Sequence, residues 1–291
     1  MGSRRQARFL ALAVTTAVTA GLTLATAVGP ASAATQATQP ASGAICTSHL
    51  HPKLAAQLSR GIAAAVRGRS SRLGLAAADP GLDLSCQLYR TRHFDAASAI
   101  KVTIISALLY KIGGPAHLTK AQRLAAWQMI TESDNDAANT LWFDTGSTAL
   151  HRFLAKAKMT HTELASAWGL SQLTAQDELT LLKLLSVPGK VLSTASRRYV
   201  LWLMAHVISS ERWGAPYGAP SGVTVHVKNG WLPYPTGSDW HINSLGIFTG
   251  HDISYQIAML TSDNDSEGYG IDTIQAASYV INTDLAKFRA R

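Results

Sequence analysis

Ser98-Ala99-Ile100-Lys101-Val102-Thr103-Ile104-Ile105-Ser106-Ala107-Leu108-Leu109 puts a serine and a lysine three residues apart, at the start of a run that is apolar on more than one side. Residues three apart on a helix share a face, so the spacing predicts a helix over 98–112 with Lys101 alongside Ser98. An apolar run with no polar stripe belongs to a helix buried among other elements. A lysine in that setting loses solvation, which lowers its pKa towards that of a usable base. A serine hydroxyl is a weak nucleophile that needs such a base within reach. None of the other nine lysines has a serine three positions before it. The alternative reading of the pair alone is an N-capping serine beside an exposed lysine.

Two further strings follow in order. Ser133-Asp134-Asn135 lies between one helical run and the next, a loop between helices. Lys228-Asn229-Gly230 closes an alternating strand in which Val223, Val225 and Val227 occupy one face and Thr224, His226 and Lys228 the other. An identical triplet, Ser262-Asp263-Asn264, lies between a strand and the last helix and is read as a polar turn.

The three strings in this order resemble the active-site set of the penicillin-recognising serine hydrolases, the class A β-lactamases and penicillin-binding proteins. The resemblance extends across nearly all of the chain after its leader, including Met129-Ile130 before Ser133 and Ala137, Asn139 and Leu141 after it. It implies an α+β, β-lactamase-like fold: a five-stranded antiparallel sheet with terminal helices, and an all-helical lobe across a cleft. It also implies an acyl-enzyme on Ser98 with Lys101 as base. Ser133 would relay a proton to the leaving nitrogen, and Asn135 would hold a substrate amide. Lys228 would supply positive charge to Ser133 or to a substrate carboxylate. Gly230 would allow close approach, with Asn229 on the carboxylate side, and the N–H of Trp231 would complete an oxyanion hole with that of Ser98.

The chain departs from that pattern in three places. The deacylating glutamate has no clear counterpart, and between Asn135 and Asp177 the single glutamate is Glu163, in Thr162-Glu163-Leu164. Glu163 is the candidate for that base, with a solvated loop carboxylate as the alternative. Asn229 replaces a hydroxyl residue, and no arginine occurs between Arg212 and Arg289 to anchor a carboxylate. The substrate is expected to be a small-molecule β-lactam or a cell-wall peptide. A D-alanyl peptidase, transacylase or esterase only slowly acylated by β-lactams is the first alternative, and a non-catalytic binding protein on a retired scaffold the second. Trp231, Trp240 and Tyr234 form either an aromatic rim to the cleft or ordinary hairpin packing.

Composition bounds the rest. Arg4, Arg5 and Arg8 precede an apolar run and Ala31-Ser32-Ala33, which reads as an export signal over 1–33, through the general or the twin-arginine route. Residues 34–44 read as a disordered leader and 45–291 as one hydrolase domain, its sheet lobe about 45–94 and 220–291 and its helical lobe about 95–219. Loss of the three leader arginines lowers the net charge from +8 to +5, without a basic stripe, so nucleic acid is excluded as a partner. The product is expected to be secreted, at most associated with an anionic cell wall, monomeric and without membrane insertion. The ten histidines show no zinc-type spacing, and neither a metal nor any other cofactor is implied. Cys46 and Cys86 are predicted to pair as in other exported chains, with two free thiols as the alternative.

Apolar residues every four positions, Leu54, Leu58, Ile62 and Val66, predict a first helix over 52–67. Strands follow near 73–78 and 84–89. Five helices are expected after the one at 98–112, at 119–132, 137–142, 148–157, 175–185 and 195–209, with a Thr174/Asp177 capping box on the fourth of them. Strands at 223–231, 241–248 and 254–261 and a closing helix over 271–288 complete the order.

Overall fold

A computed structural model describes residues 43–234 and 239–290. The export signal, most of the leader and part of the hairpin turn after Pro233 lie outside the described residues.

Terminal helices α1 (Pro52–Val66) and α8 (Glu267–Arg289) flank one face of an antiparallel sheet. The sheet contains β1 (Cys46–Thr47), β2 (Arg72–Asp79), β3 (Leu84–Leu88), β6 (Thr224–Pro233), β7 (Trp240–Gly250) and β8 (Ile253–Asn264), in the order β1-β3-β2-β8-β7-β6. Strand alternation explains why both faces are apolar. Leu75 and Ala77 join Leu54, Leu58, Ile62, Ile257, Ile274 and Ile281 under the terminal helices. Ala76 and Ala78 join Leu245, Ile247, Ala258 and Leu260 against the middle helices. Gly61 permits the close crossing of α1 and α8, since a Cβ there would stand 2.6 Å from Val280.

The sheet has six strands rather than the five expected. The sixth, β1, is two residues long, too short to leave a periodic signal. It places Cys46 opposite Cys86, and the two form a disulfide across β1 and β3.

Between β3 and β6 the chain forms β4 (His93–Asp95), then α2 (Lys101–Ile112), α3 (Lys120–Thr131), α4 (Asn135–Thr145) and α5 (Ser147–Ala157). It continues through β5 (Gln172–Thr174), α6 (Ala175–Ser186) and α7 (Thr194–Ala205). Every residue of α2 from Lys101 to Leu109 is buried, as the apolar pattern predicted. Strands β4 and β5 pair as a separate two-stranded sheet that three-residue runs do not announce. The expected capping box at α6 is only half formed. Thr174 accepts from Asp177 N, but the Asp177 carboxylate turns to His161 N (2.8 Å) and Thr162 Oγ1 (2.9 Å). Ser262-Asp263-Asn264 belongs to the end of β8 rather than to a free turn, and Asn264 is buried.

Candidate active site

Ser98 lies three residues before the expected helix becomes regular at Lys101. It lies in a 3-10 turn, Ala97–Ile100, that leads directly into α2. The backbone ahead of it is held from three sides. Asn243 Nδ2 donates to Asp95 O (2.8 Å) and Ala96 O (3.0 Å), and Ala96 N donates to Ser171 O (2.8 Å). Asp95 N donates to His241 Nδ1 (3.2 Å), while the Asp95 carboxylate accepts from Gln172 and Tyr234. These contacts hold Ala97 at φ +43°, an unfavourable conformation for a residue with a Cβ, which surroundings this tightly bonded can enforce.

Ser133 is the second positive-φ residue of the site, at +54° in the turn between α3 and α4. Asp134 closes that turn by accepting Ala137 N (2.7 Å) as the N-cap of α4, which gives it a structural role. The geometry aims Ser133 at both lysines. Lys101 Nζ donates to Ser133 O (2.7 Å), Asn135 Oδ1 (2.8 Å) and Ser133 Oγ (3.3 Å). Lys228 Nζ donates to Ser133 Oγ (2.8 Å), Asn229 O (3.0 Å) and Glu211 Oε2 (3.4 Å).

Both lysines are fully buried, and burial is the main reason their pKa values fall, Lys101 to about 7 and Lys228 to about 8. The charge of Lys228 lowers Lys101 further, while Glu211 works the other way on both. Two N–H bonds hold a neutral Lys101 to Ser133 O and Asn135 Oδ1. Its lone pair is then free for a hydroxyl proton.

Gly230 brings β6 against the serine. A Cβ there would stand 2.8 Å from Ser98 N and 2.6 Å from Ala99 N, so only glycine fits. Trp168, in the loop between α5 and β5, lies over Lys101, with Nζ 4.9 Å from the ring centroid. Its indole N–H donates to Asn139 Oδ1 (2.8 Å) on α4, one turn after Asn135.

A family model described as the Beta-lactamase enzyme family matches residues 117–285, more than half of the chain. The chain belongs to the β-lactamase enzyme family. The match includes Ser133-Asp134-Asn135 and Lys228-Asn229-Gly230, while Ser98 and Lys101 precede it. Family membership and the geometry together support a hydrolase of the β-lactamase type. Solved structures share the fold at low identity. PBP-A is 21% identical over 79% of this chain and 96% of its own, with a TM-score of 0.67. A class A β-lactamase from Bacteroides cellulosilyticus DSM 14838 is 15% identical over 79% and 98%, with a TM-score of 0.69. A β-lactamase from Sphaerobacter thermophilus DSM 20745 is 19% identical over 77% and 95%, with a TM-score of 0.65. No curated protein matches the chain.

Within this family site, Ser98, Lys101, Ser133, Asn135, Lys228 and Gly230 come together, and two other expected residues, Glu163 and Asn229, do not. The Glu163 side chain is 73% exposed and faces His93 Nε2 at 3.8 Å, while its backbone pairs with Gln172. It makes no hydrogen bond to Ser98, Lys101 or Ser133, so its geometry is that of the solvated loop carboxylate. Asn229 is fully buried on the opposite face of β6 from Lys228. Its Nδ2 donates to Glu211 O (2.8 Å) and Trp213 O (3.0 Å), and its Oδ1 accepts from Ser244 (2.6 Å), which leaves nothing for a substrate. The Trp231 ring packs on Trp213 at 6.0 Å, and Trp240 shares that cluster, so the hairpin-packing reading of the aromatics holds for both. Tyr234 instead binds Asp95.

Sequence reasoning passed over Glu211, Trp168 and Asp95. Asn139 was named only as part of the family resemblance, although its place four residues after Asn135 puts both on one helix face. Glu211 and Trp168 lie in irregular segments with no periodic signal.

Proposed function

We propose that this protein forms an acyl-enzyme on Ser98. The single observation that carries the reading is the buried chain Lys101–Ser133–Lys228, with Lys101 held near neutral pKa and Ser133 hydrogen-bonded to both amines. Ser98 Oγ attacks the substrate carbonyl carbon and its proton passes to neutral Lys101. The N–H groups of Ser98 and Trp231 receive the oxyanion beside Gly230. As the carbonyl–nitrogen bond breaks, Ser133 Oγ protonates the leaving nitrogen and regains a proton from Lys101, which leaves an ester on Ser98 and a neutral amine on Lys101. Water or a second acceptor then cleaves the ester.

Incubation with a fluorescent penicillin followed by intact mass tests the reading. A single adduct is expected in the wild type and none in a folded Ser98→Ala; an adduct that persists in that variant rules out Ser98 as the nucleophile.

A specific observation favours slow breakdown of the adduct. Among the described residues no carboxylate hydrogen-bonds to Ser98, Lys101 or Ser133, and Trp168 covers Lys101 on the loop side. Slow hydrolysis suits a cell-wall peptidase, transacylase or esterase better than a rapid β-lactamase. In this reading the mature enzyme acts outside the cytoplasm after cleavage near Ala33. The disulfide is in keeping with that, as is the lack of a membrane-crossing helix among the described residues.

A further inference from the structure

Asp95 ends β4, three residues before Ser98, and is gripped by β5, by β7 and by the segment that follows β6. His241 and Asn243 are two apart on β7, so they share the face that meets this turn. His241 Nδ1 accepts from Asp95 N, and Asn243 Nδ2 donates to the carbonyls of Asp95 and Ala96. Asn243 is also the partner of Gly230 in the β6–β7 register, and a Cβ at Gly230 would stand 3.1 Å from Ala96 O. The main chain of Asp95 and Ala96 is therefore seated on the strand pair at the rung that carries Gly230.

The Asp95 carboxylate, in a residue only 6% exposed, makes two further ties. One oxygen accepts from Gln172 Nε2 and the other from the Tyr234 hydroxyl. Gln172 closes the neck of the loop that carries Trp168, because its backbone exchanges two hydrogen bonds with Glu163 (2.8 and 2.9 Å). Tyr234 lies three residues beyond Trp231. Burial and the neighbouring carboxylate push its pKa up to about 12, so its hydroxyl stays a donor at ordinary pH. A carboxylate accepts from two donors at once, whereas an amide has one oxygen to offer. Gln172, Tyr234, His241 and Asn243 thus converge on a single residue, and two positions later Ala97 is held at φ +43°.

We propose that Asp95 is a positioning residue for the oxyanion hole: through Tyr234 it holds the end of β6 against the Ser98 turn and so sets the separation of the Trp231 and Ser98 N–H groups. This role rests on acylation of Ser98 and names what makes that step fast. Displaced N–H groups lose more against a developing oxyanion than against a ground-state carbonyl, so loosening the tie slows chemistry and leaves binding unchanged.

Tyr234→Phe keeps the ring beside His241, 5.1 Å between centroids, and removes only the hydroxyl. Stopped-flow acylation by a fluorescent penicillin over a range of concentrations separates the limiting rate from the preceding binding constant. In Tyr234→Phe the limiting rate is expected to fall about tenfold with the binding constant unchanged. A phenylboronic acid bonds its boron to Ser98 Oγ and presents a tetrahedral boronate oxygen to the same two N–H groups. Its affinity is expected to weaken by the same factor. Asp95→Ala cuts both arms and is expected to lose about a hundredfold in limiting rate, while Asp95→Asn, which still accepts from one arm, recovers most of that loss. If Asp95→Ala does not fold, Tyr234→Phe decides alone. A wild-type limiting rate in Tyr234→Phe overturns the proposal. So does a slower rate with undiminished boronate affinity, or a loss confined to penicillin binding, the results if the tie serves only the fold. A folded wild type that forms no adduct overturns the acyl-enzyme reading and this inference with it. Adducts formed at equal rates in the wild type and Tyr234→Phe overturn this inference alone.

Discussion

If neutral Lys101 takes the proton from Ser98, the rate of acylation follows the neutral fraction of that amine. Burial lowers the Lys101 pKa to about 7, with the charge of Lys228 as the second cause. The neutral fraction is then about one half at pH 7, about a tenth at pH 6 and about a hundredth at pH 5. Below pH 7 the rate constant is therefore expected to fall about tenfold per pH unit, and above pH 8 to level off. Lys228→Met removes the neighbouring positive charge, so Lys101 binds its proton more tightly and the midpoint moves to higher pH. The maximal rate falls as well, because Ser133 loses its 2.8 Å donor. The informative quantity is thus the midpoint rather than the amplitude. Stopped-flow acylation by a fluorescent penicillin from pH 5 to 9, on both proteins, measures it. A flat wild-type profile, or a Lys228→Met midpoint that stays put or moves down, would refute the assignment of Lys101 as base.

The remaining expectations concern the scaffold around that amine. Glu178 is wholly buried with neither carboxylate oxygen hydrogen-bonded, and burial pushes its pKa up to about 8. The folded chain then holds a proton that the unfolded chain releases near pH 4.5, so Glu178 makes stability fall as pH rises from about 4.5 to 8, on the order of 5 kcal/mol in all. Glu178→Gln should flatten that slope in urea titrations, and an unchanged slope would remove Glu178 as its source. Gly230→Ala should abolish acylation while the fold persists, because its Cβ would meet the Ser98 and Ala99 nitrogens; normal labelling of that variant would separate Gly230 from the site. Replacing Cys46 and Cys86 by serine frees a 40-residue separation and should cost roughly 3 to 4 kcal/mol of stability, read by the same titrations, with no loss supporting an unconstraining bridge. Trp168→Glu places a carboxylate beside Lys101 and should shorten the life of the Ser98 adduct more than Trp168→Ala does; equal lifetimes would show that Trp168 does not limit deacylation.

The elements that could be read in the chain are those with a local physical code. The four-residue apolar period of α1, the all-round apolar run of α2 and the alternation of β6 each state a secondary structure and its buried side. Lys101 is buried, as its place in the apolar run suggested, whereas its contact with the Ser133 turn was not written in the helical spacing. The length of β1 and the pairing of β4 with β5 were not legible, since two or three residues carry no period.

Order along the chain also suggested, through the family resemblance, which motifs belong together. Ser98, Lys101, Ser133 and Lys228 were identifiable before any fold was known. What only tertiary structure decided is the direction in which each neighbouring side chain points. Glu163 turned outward to His93 because its backbone is taken by Gln172, and Asn229 turned inward because two carbonyls needed a donor. Glu211 and Trp168 reached the lysines from loops, brought there by packing between segments distant in sequence. A hydrogen-bonding group joins whichever partner the folded chain presents, and that choice is made by three-dimensional proximity, which no local pattern records.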